Sequence, residues 1–273
     1  MSEPKIAFIG AGNMARAIIG GLIAEGYSRS DISASGPRLS NLEKVAYDFR
    51  INVSVDNTAT AAKADVVVLA VKPQMLKEVA LEIAGALAHK PLIISLAAGI
   101  TTTSLNQWLG ADQAIVRCMP NTPSQLRVGA SGLFANPQVN VSQRGAANAI
   151  LGAVGIVQWV EDESLINAVT AVSGSGPAYF FLMMEAMIDA GVQFGLSRES
   201  ATELTLQTAL GAAMLAKHSD VDVVELRRRV TSPKGTTEQA IHAFEAGKIR
   251  EIFSNAMQAS RNRAIEMSEL LGK

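Results

Sequence analysis

The sequence predicts an α/β fold: a doubly wound parallel sheet followed by an all-helical C-terminal domain. Three observations carry this prediction. Up to about residue 160, short β-branched runs, apolar on both faces, alternate with Ala-rich segments of helical period. A glycine turn joins the first of these runs to the first helical segment, and from about residue 164 onward the strand-like runs stop.

Taken in order, strands are expected at residues 5–9, 32–35, 66–71, 92–96, 114–117 and 156–160, where Val and Ile dominate. The alternation with helices makes their sheet parallel, because each crossover returns the chain to the same edge direction. Helices are expected at 177–195, 198–217 and 247–271 in the second half. The first of these, with Ala178-Tyr179-Phe180-Phe181-Leu182-Met183-Met184, is apolar on nearly every face. A region of this size has too few neighbours to cover it, so it is expected to bury itself against another subunit, as in an obligate homodimer. The change of pattern sets the expected domains at 1–162 and 163–273.

Composition removes several classes of function. The 273 residues are 48% hydrophobic and 18% charged, with a mean hydropathy of +0.21, which excludes a disordered chain. Residues 91–111 and 164–184 carry no charge and approach the roughly 20 residues of a membrane span. Both are broken by polar residues or by Ser173-Gly174-Ser175-Gly176-Pro177, so no membrane association is expected. Lys5 leads straight into a strand without an export signal, and a cytoplasmic location is expected. With 24 basic against 25 acidic residues there is no overall field for nucleic acid, and Arg227-Arg228-Arg229 reads as a solvated helix end. The single Cys118 and the dispersed His89, His218 and His242 provide no metal-ligand spacing, so no metal is expected.

Gly10-Ala11-Gly12-Asn13-Met14-Ala15 stands between a strand and a helix. In that context Gly10 permits a tight turn, Gly12 lets the backbone approach a pyrophosphate, and Ala15 lets helix and strand pack closely. An NAD-preferring site wants a carboxylate about 20 residues further on. Here the second strand ends Ser33-Ala34-Ser35-Gly36-Pro37-Arg38 without one. Ser35 can hydrogen-bond and Arg38 can pair with a 2′-phosphate, so NADPH is the expected cofactor, with NADH a weaker alternative.

Ligands of doubly wound sheets lie beyond the carboxyl ends of the strands. Ala70-Val71-Lys72-Pro73 occupies such an end; Lys72 can face cofactor or substrate, and Pro73 can open the next helix. Leu96, Ala97 and Ala98 follow the next strand, small enough to leave room for a flat ring. In the helical half, Thr231-Ser232-Pro233-Lys234-Gly235-Thr236-Thr237-Glu238-Gln239 reads as a helix N-terminus. Thr236 and Gln239 fit a capping box. The same geometry, a glycine loop ahead of a helix, offers backbone N–H groups to a small carboxylate.

These segments, together with Arg117-Cys118-Met119-Pro120-Asn121-Thr122-Pro123 and Ser173-Gly174-Ser175-Gly176-Pro177-Ala178-Tyr179, span nearly the whole chain, and the sequence resembles the pyrroline-5-carboxylate reductase family. The resemblance implies a Rossmann-type N-terminal domain and an interlocked helical dimer, often assembled further. It implies NADP(H) along Gly10, Ala11, Gly12, Asn13, Met14 and Ala15, with Ser35, Asn57, Ala70, Val71, Lys72, Pro73, Leu96, Ala97 and Ala98. It places the substrate carboxylate on Ser232, Gly235, Thr236 and Thr237, with the Thr237 hydroxyl on the imine nitrogen as the catalytic contact, and makes Glu163 a substrate contact. Lys234 stands where glycine is common in the family, and Arg229 where some members have a polar amide.

The implied reaction is NADPH-dependent reduction of 1-pyrroline-5-carboxylate to L-proline, the final step of proline biosynthesis. A protonated imine is already electrophilic, which suits a chain without a convincing acid or base constellation. A β-hydroxyacid dehydrogenase needs a general base for its alcohol, and no lysine stands in that family's Gly-rich context. A non-catalytic NADP-binding protein is the alternative from another class.

Overall fold

The computed structural model describes residues 3–272. The chain forms two compact units: one comprises the residues through Ser175 together with those from Ala259 onward, the other Gly176–Gln258.

The first unit is an eight-stranded sheet with strand order β3-β2-β1-β4-β5-β6-β7-β8. Its strands are β1 (Ile6–Ile9), β2 (Ile32–Ser35), β3 (Asn52–Ser54), β4 (Val66–Leu69), β5 (Leu92–Ser95), β6 (Ala114–Met119), β7 (Gly129–Ala135) and β8 (Gly155–Trp159). Helices α1 (Asn13–Ala24), α2 (Leu39–Phe49), α3 (Asn57–Ala61), α4 (Pro73–Ile83), α5 (Thr102–Trp108), α6 (Val141–Gly152) and α7 (Leu165–Val169) complete it. Successive side chains of β1 divide between two cores. Ile6 and Phe8 pack with residues of α1, α2 and α6, whereas Ala7 and Ile9 pack with those of α3, α4 and α5. Covering on both faces explains why the strands are apolar runs rather than alternating ones.

Two strands lay beyond the sequence reading. β3 is short and polar, pairing in parallel with β2. β7 reads Gly-Ala-Ser-Gly-Leu-Phe-Ala, a composition with little strand propensity, and it runs antiparallel to β6, so the sheet is not wholly parallel. Packing accounts for its glycine: a Cβ on Gly132 would lie 2.4 Å from Val169 Cγ1.

A π-helical turn, Thr170–Gly174, follows α7 and leads to α8 (Gly176–Gln193). With α9 (Arg198–His218), α10 (Val223–Arg229), α11 (Thr236–Ala246) and the first part of α12 (Ile249–Leu271), α8 forms the helical unit. The stretch Leu165–Gln193 has the length and composition of a membrane-crossing helix.

In the single chain α8 is not buried. Phe180, Phe181 and Leu182 are 58%, 62% and 67% exposed, and Met183, Met187, Leu204, Leu210 and Met214 are exposed as well. Burying one such side chain is worth about 1.5–3 kcal/mol, so this surface strongly favours a covering partner. Sedimentation at micromolar concentration is expected to give at least twice the 28.7 kDa chain mass; a monomeric mass would refute the assignment of this face to an interface.

Candidate active site

The strand order reverses between β1 and β4, the crevice where doubly wound sheets bind their ligands. Gly10 ends β1 at φ +101°, and a Cβ there would lie 2.8 Å from the carbonyl carbon and oxygen of Ala70. Only glycine fits so close a crossing. Gly12 is the N-cap of α1 at an ordinary φ of −79°, yet a Cβ on it would meet no protein atom within 4 Å. Its side-chain position faces open space, and no side chain caps the first-turn amides around Asn13 and Met14. Such a cradle fits a pyrophosphate, which would satisfy those orphan N–H groups. Ala15 is fully buried, and Asn41 Nδ2 donates to Ala11 O at 3.0 Å, tying the turn to α2.

At the end of β2, Ser35 is fully buried and its Oγ donates to Asn57 Oδ1 at 2.7 Å. Asn57 opens α3, and its Nδ2 donates to Glu82 Oε2 at 3.0 Å. Arg38 is the exposed N-cap of α2, so its guanidinium is open to solvent at this end of the crevice.

Beyond β4, Ala70 N–H donates to Ile9 O at 2.8 Å, and Lys72 is the exposed N-cap of α4 with Pro73 at the first helical position. Val71 packs on the α4 side of the sheet. Beyond β5, Leu96 N–H donates to Leu69 O at 3.0 Å, followed by buried Ala97 and half-buried Ala98. Gly99 then turns at φ +73°, where a Cβ would lie 2.9 Å from Met267 Cβ. The end of α12 thus braces this loop, and Ser104 Oγ donates to Gly272 O at 2.8 Å beside it.

Glu163, expected as a substrate contact, is held within the chain by Thr102 and Arg117. Its Oε1 accepts from Thr102 N–H at 2.8 Å and from Arg117 Nη1 at 3.0 Å, while Oε2 accepts from the Thr102 hydroxyl at 2.7 Å. The Arg117 side chain is 5% exposed and that of Glu163 19%. A carboxylate at the first residue of α5 complements the helix dipole and neutralises a buried arginine. Removing one member of such a pair costs on the order of 3–5 kcal/mol. Glu163 therefore positions α5 and the Leu96–Ala98 loop ahead of it.

In the helical unit the expected capping box is not formed. The N-cap of α11 is Gly235, one residue earlier than expected, which places Thr236 inside the helix and leaves no side-chain cap. Gly235 N–H donates to Ser232 O at 3.0 Å, and a Cβ would lie 3.0 Å from that oxygen. Lys234 adopts φ +60°, a left-handed conformation costly to a side chain, and its N–H donates to Glu238 Oε2 at 2.8 Å. Exposed Thr236 and Thr237 thus begin a helix whose first amides have no side-chain acceptor. Arg229 and Arg228 both pair with Glu225, whose carboxyl is held below its usual range chiefly by the Arg229 hydrogen bond.

Other candidate groups are structural. Burial pushes the Cys118 thiol up to about 12, removing it as a nucleophile. His89 Nε2 bonds Ala64 O at 2.8 Å. Among the described residues no His, Cys, Asp and Glu group could hold a metal. Asn121 escaped the sequence reading: its Nδ2 donates to Ser173 O at 3.0 Å and its Oδ1 accepts from Ala130 N–H at 2.9 Å. In α-helical register Ser173 O would need the N–H of residue 177, which is proline, and that proline is the signal that an outside donor is required.

The sheet order, glycine cradle and carboxyl-end loops define a nicotinamide-dinucleotide oxidoreductase of Rossmann type carrying a second, helical unit. Residues 163–267 match the family model for pyrroline-5-carboxylate reductase dimerisation, and residues 5–99 match that for NADP oxidoreductase, coenzyme F420-dependent. The chain is 55% identical to pyrroline-5-carboxylate reductase of Pseudomonas aeruginosa over 100% of both chains. It belongs to the pyrroline-5-carboxylate reductase family. The solved Coxiella burnetii enzyme superposes with a TM-score of 0.93 at 50% identity, covering 97% of this chain and 98% of that one. The Plasmodium falciparum enzyme, solved with NADP bound, gives 0.87 at 31% identity over 98% and 99%.

Because Gly12 has an ordinary φ and open space at its Cβ position, Gly12→Ala is expected to leave the unfolding midpoint unchanged. The same methyl would occupy the pyrophosphate approach and weaken NADPH binding by about tenfold or more, roughly 1.4 kcal/mol. Unaltered NADPH affinity by fluorescence titration would show that the cofactor lies elsewhere.

Proposed function

We propose that this chain reduces 1-pyrroline-5-carboxylate to L-proline, closing proline biosynthesis, with the cofactor along the β1, β2, β4 and β5 ends. Bound NADPH supplies the hydride, which passes from its C4 to C5 of the ring while the nitrogen holds a proton, so that the C=N bond becomes a C–N bond. The substrate carboxylate would be taken by the α11 N-terminus. Ser232 and the amides beside Gly235, Thr236 and Thr237 act as donors there, and the helix dipole favours the negative charge. The uncapped first turn behind Gly235 is the observation that carries this assignment.

The protein's own contribution is positioning and exclusion of water. Thr237 orients the ring nitrogen through its hydroxyl rather than acting as a strong acid, since a protonated imine needs no further activation. Lys72, at the N-terminus of α4, adds positive charge to the cofactor crevice. Arg38 and Asn57 serve the 2′-phosphate, with Ser35 holding Asn57 from behind.

The working form is a homodimer, open to further assembly, that covers the apolar face of α8 and α9. That face lies within the dimerisation match at 163–267, which supports reading the membrane-like stretch Leu165–Gln193 as a protein interface. The enzyme is taken as cytoplasmic, without membrane or nucleic-acid partners.

Purified protein should oxidise NADPH only when pyrroline-5-carboxylate is added. Thr237→Ala should lower kcat by about tenfold or more, a loss of roughly 1.4 kcal/mol at the transition state. Unchanged kinetics would remove Thr237 from the mechanism.

A further inference from the structure

Ser35, Asn57 and Glu82 form a directed hydrogen-bond chain at the edge of the dinucleotide crevice. The Ser35 hydroxyl donates to Asn57 Oδ1 at 2.7 Å, and Asn57 Nδ2 donates to Glu82 Oε2 at 3.0 Å. An ionised carboxylate only accepts, so Glu82 dictates which way the Asn57 amide faces: N–H toward Glu82, carbonyl toward Ser35. Ser35 is sealed at 0% exposure, Asn57 is half-buried, and Glu82 stands exposed on the last turn of α4. Asn57 is therefore the member of this chain that can meet a ligand.

This orientation matters differently to the two nicotinamide cofactors. A 2′-phosphate only accepts when fully ionised and carries close to two negative charges. It competes with Glu82 for the Asn57 N–H groups and is repelled by the carboxylate behind them. A ribose 2′-hydroxyl both donates and accepts and carries no charge, so the same arrangement costs it little. The sequence feature usually sought, a carboxylate at the end of the second strand, is missing here. Glu82 supplies one from a different element, a single hydrogen bond further away.

We propose that Glu82 is a specificity-determining residue that acts through Asn57, drawing its amide N–H groups away from the 2′-phosphate and narrowing the preference for NADPH over NADH. The proposal rests on the placement of Asn57 at the 2′ position made above. With glutamine at position 82, the charge is gone and the neutral side-chain oxygen holds the Asn57 N–H groups less strongly, leaving them freer for the 2′-phosphate.

The test is direct titration of the full-length protein with NADPH and with NADH, following nicotinamide fluorescence, without substrate. In E82Q the ratio Kd(NADH)/Kd(NADPH) is expected to rise about threefold or more, the scale of one partly screened charge. The rise comes from tighter NADPH binding, with NADH affinity held within about twofold. In the N57A background the same substitution is expected to leave the ratio unchanged. An unchanged or lowered ratio in E82Q overturns the proposal, and so does an equal rise in the N57A background, which would make Glu82 a bare charge. If N57A alone binds NADPH as tightly as the native chain, the placement of Asn57 fails and the proposal falls with it.

Discussion

The constraint on which the rest of the molecule depends is the absence of an interior in its helical unit. Within Gly176–Gln258 only Gly176, Ala201 and Thr205 are buried in the single chain. The sheet unit, by contrast, closes two cores around β1 and β4, with Phe8, Ile9, Ile18, Leu69 and Leu76 fully buried. Ordering a helical residue costs about 1–2 kcal/mol in backbone entropy, and the helical unit has little internal burial to offset it. Its stability must come from apolar surface shared with another copy, the role that its match to a dimerisation domain gives it. The Ser232–Thr237 loop belongs to that unit.

The sheet unit is built on the opposite principle, with each part of the cofactor crevice fixed by groups of its own. Gly10 permits the crossing over Ala70, and Gly99 permits the approach of Met267. Thr102, Arg117 and Glu163 lock the start of α5 behind the Leu96–Ala98 loop. Asn121 satisfies a carbonyl that Pro177 cannot serve. A cradle braced in this way suits a reaction that depends on position more than on acid or base strength.

Much of this was legible in the sequence, and the exceptions have physical causes. The β-branched strands and the Gly10–Ala15 turn were readable because local composition and close packing point the same way there. β3 and β7 were not, since one is three residues long with only Val53 apolar and the other owes its glycines to contacts with Ser124 and the distant Val169. Thr236 satisfied the capping-box pattern, but the turn closes on Ser232 O, and Gly235 takes the cap instead. Glu163 could be recognised as a special carboxylate, yet its partners lie far away in sequence at Thr102 and Arg117, where no local pattern reveals them. The Ser35–Asn57–Glu82 chain is hidden for the same reason: it joins a strand end and two helices.

The central claim, that the helical unit is stable only in association, is tested most directly by the concentration dependence of its unfolding. Far-UV circular dichroism melts over roughly 1–100 µM chain should show the midpoint of helix loss rising by several degrees, because dissociation is coupled to unfolding. A midpoint that stays constant across that range, in a sample whose mass is that of one chain, would contradict the account.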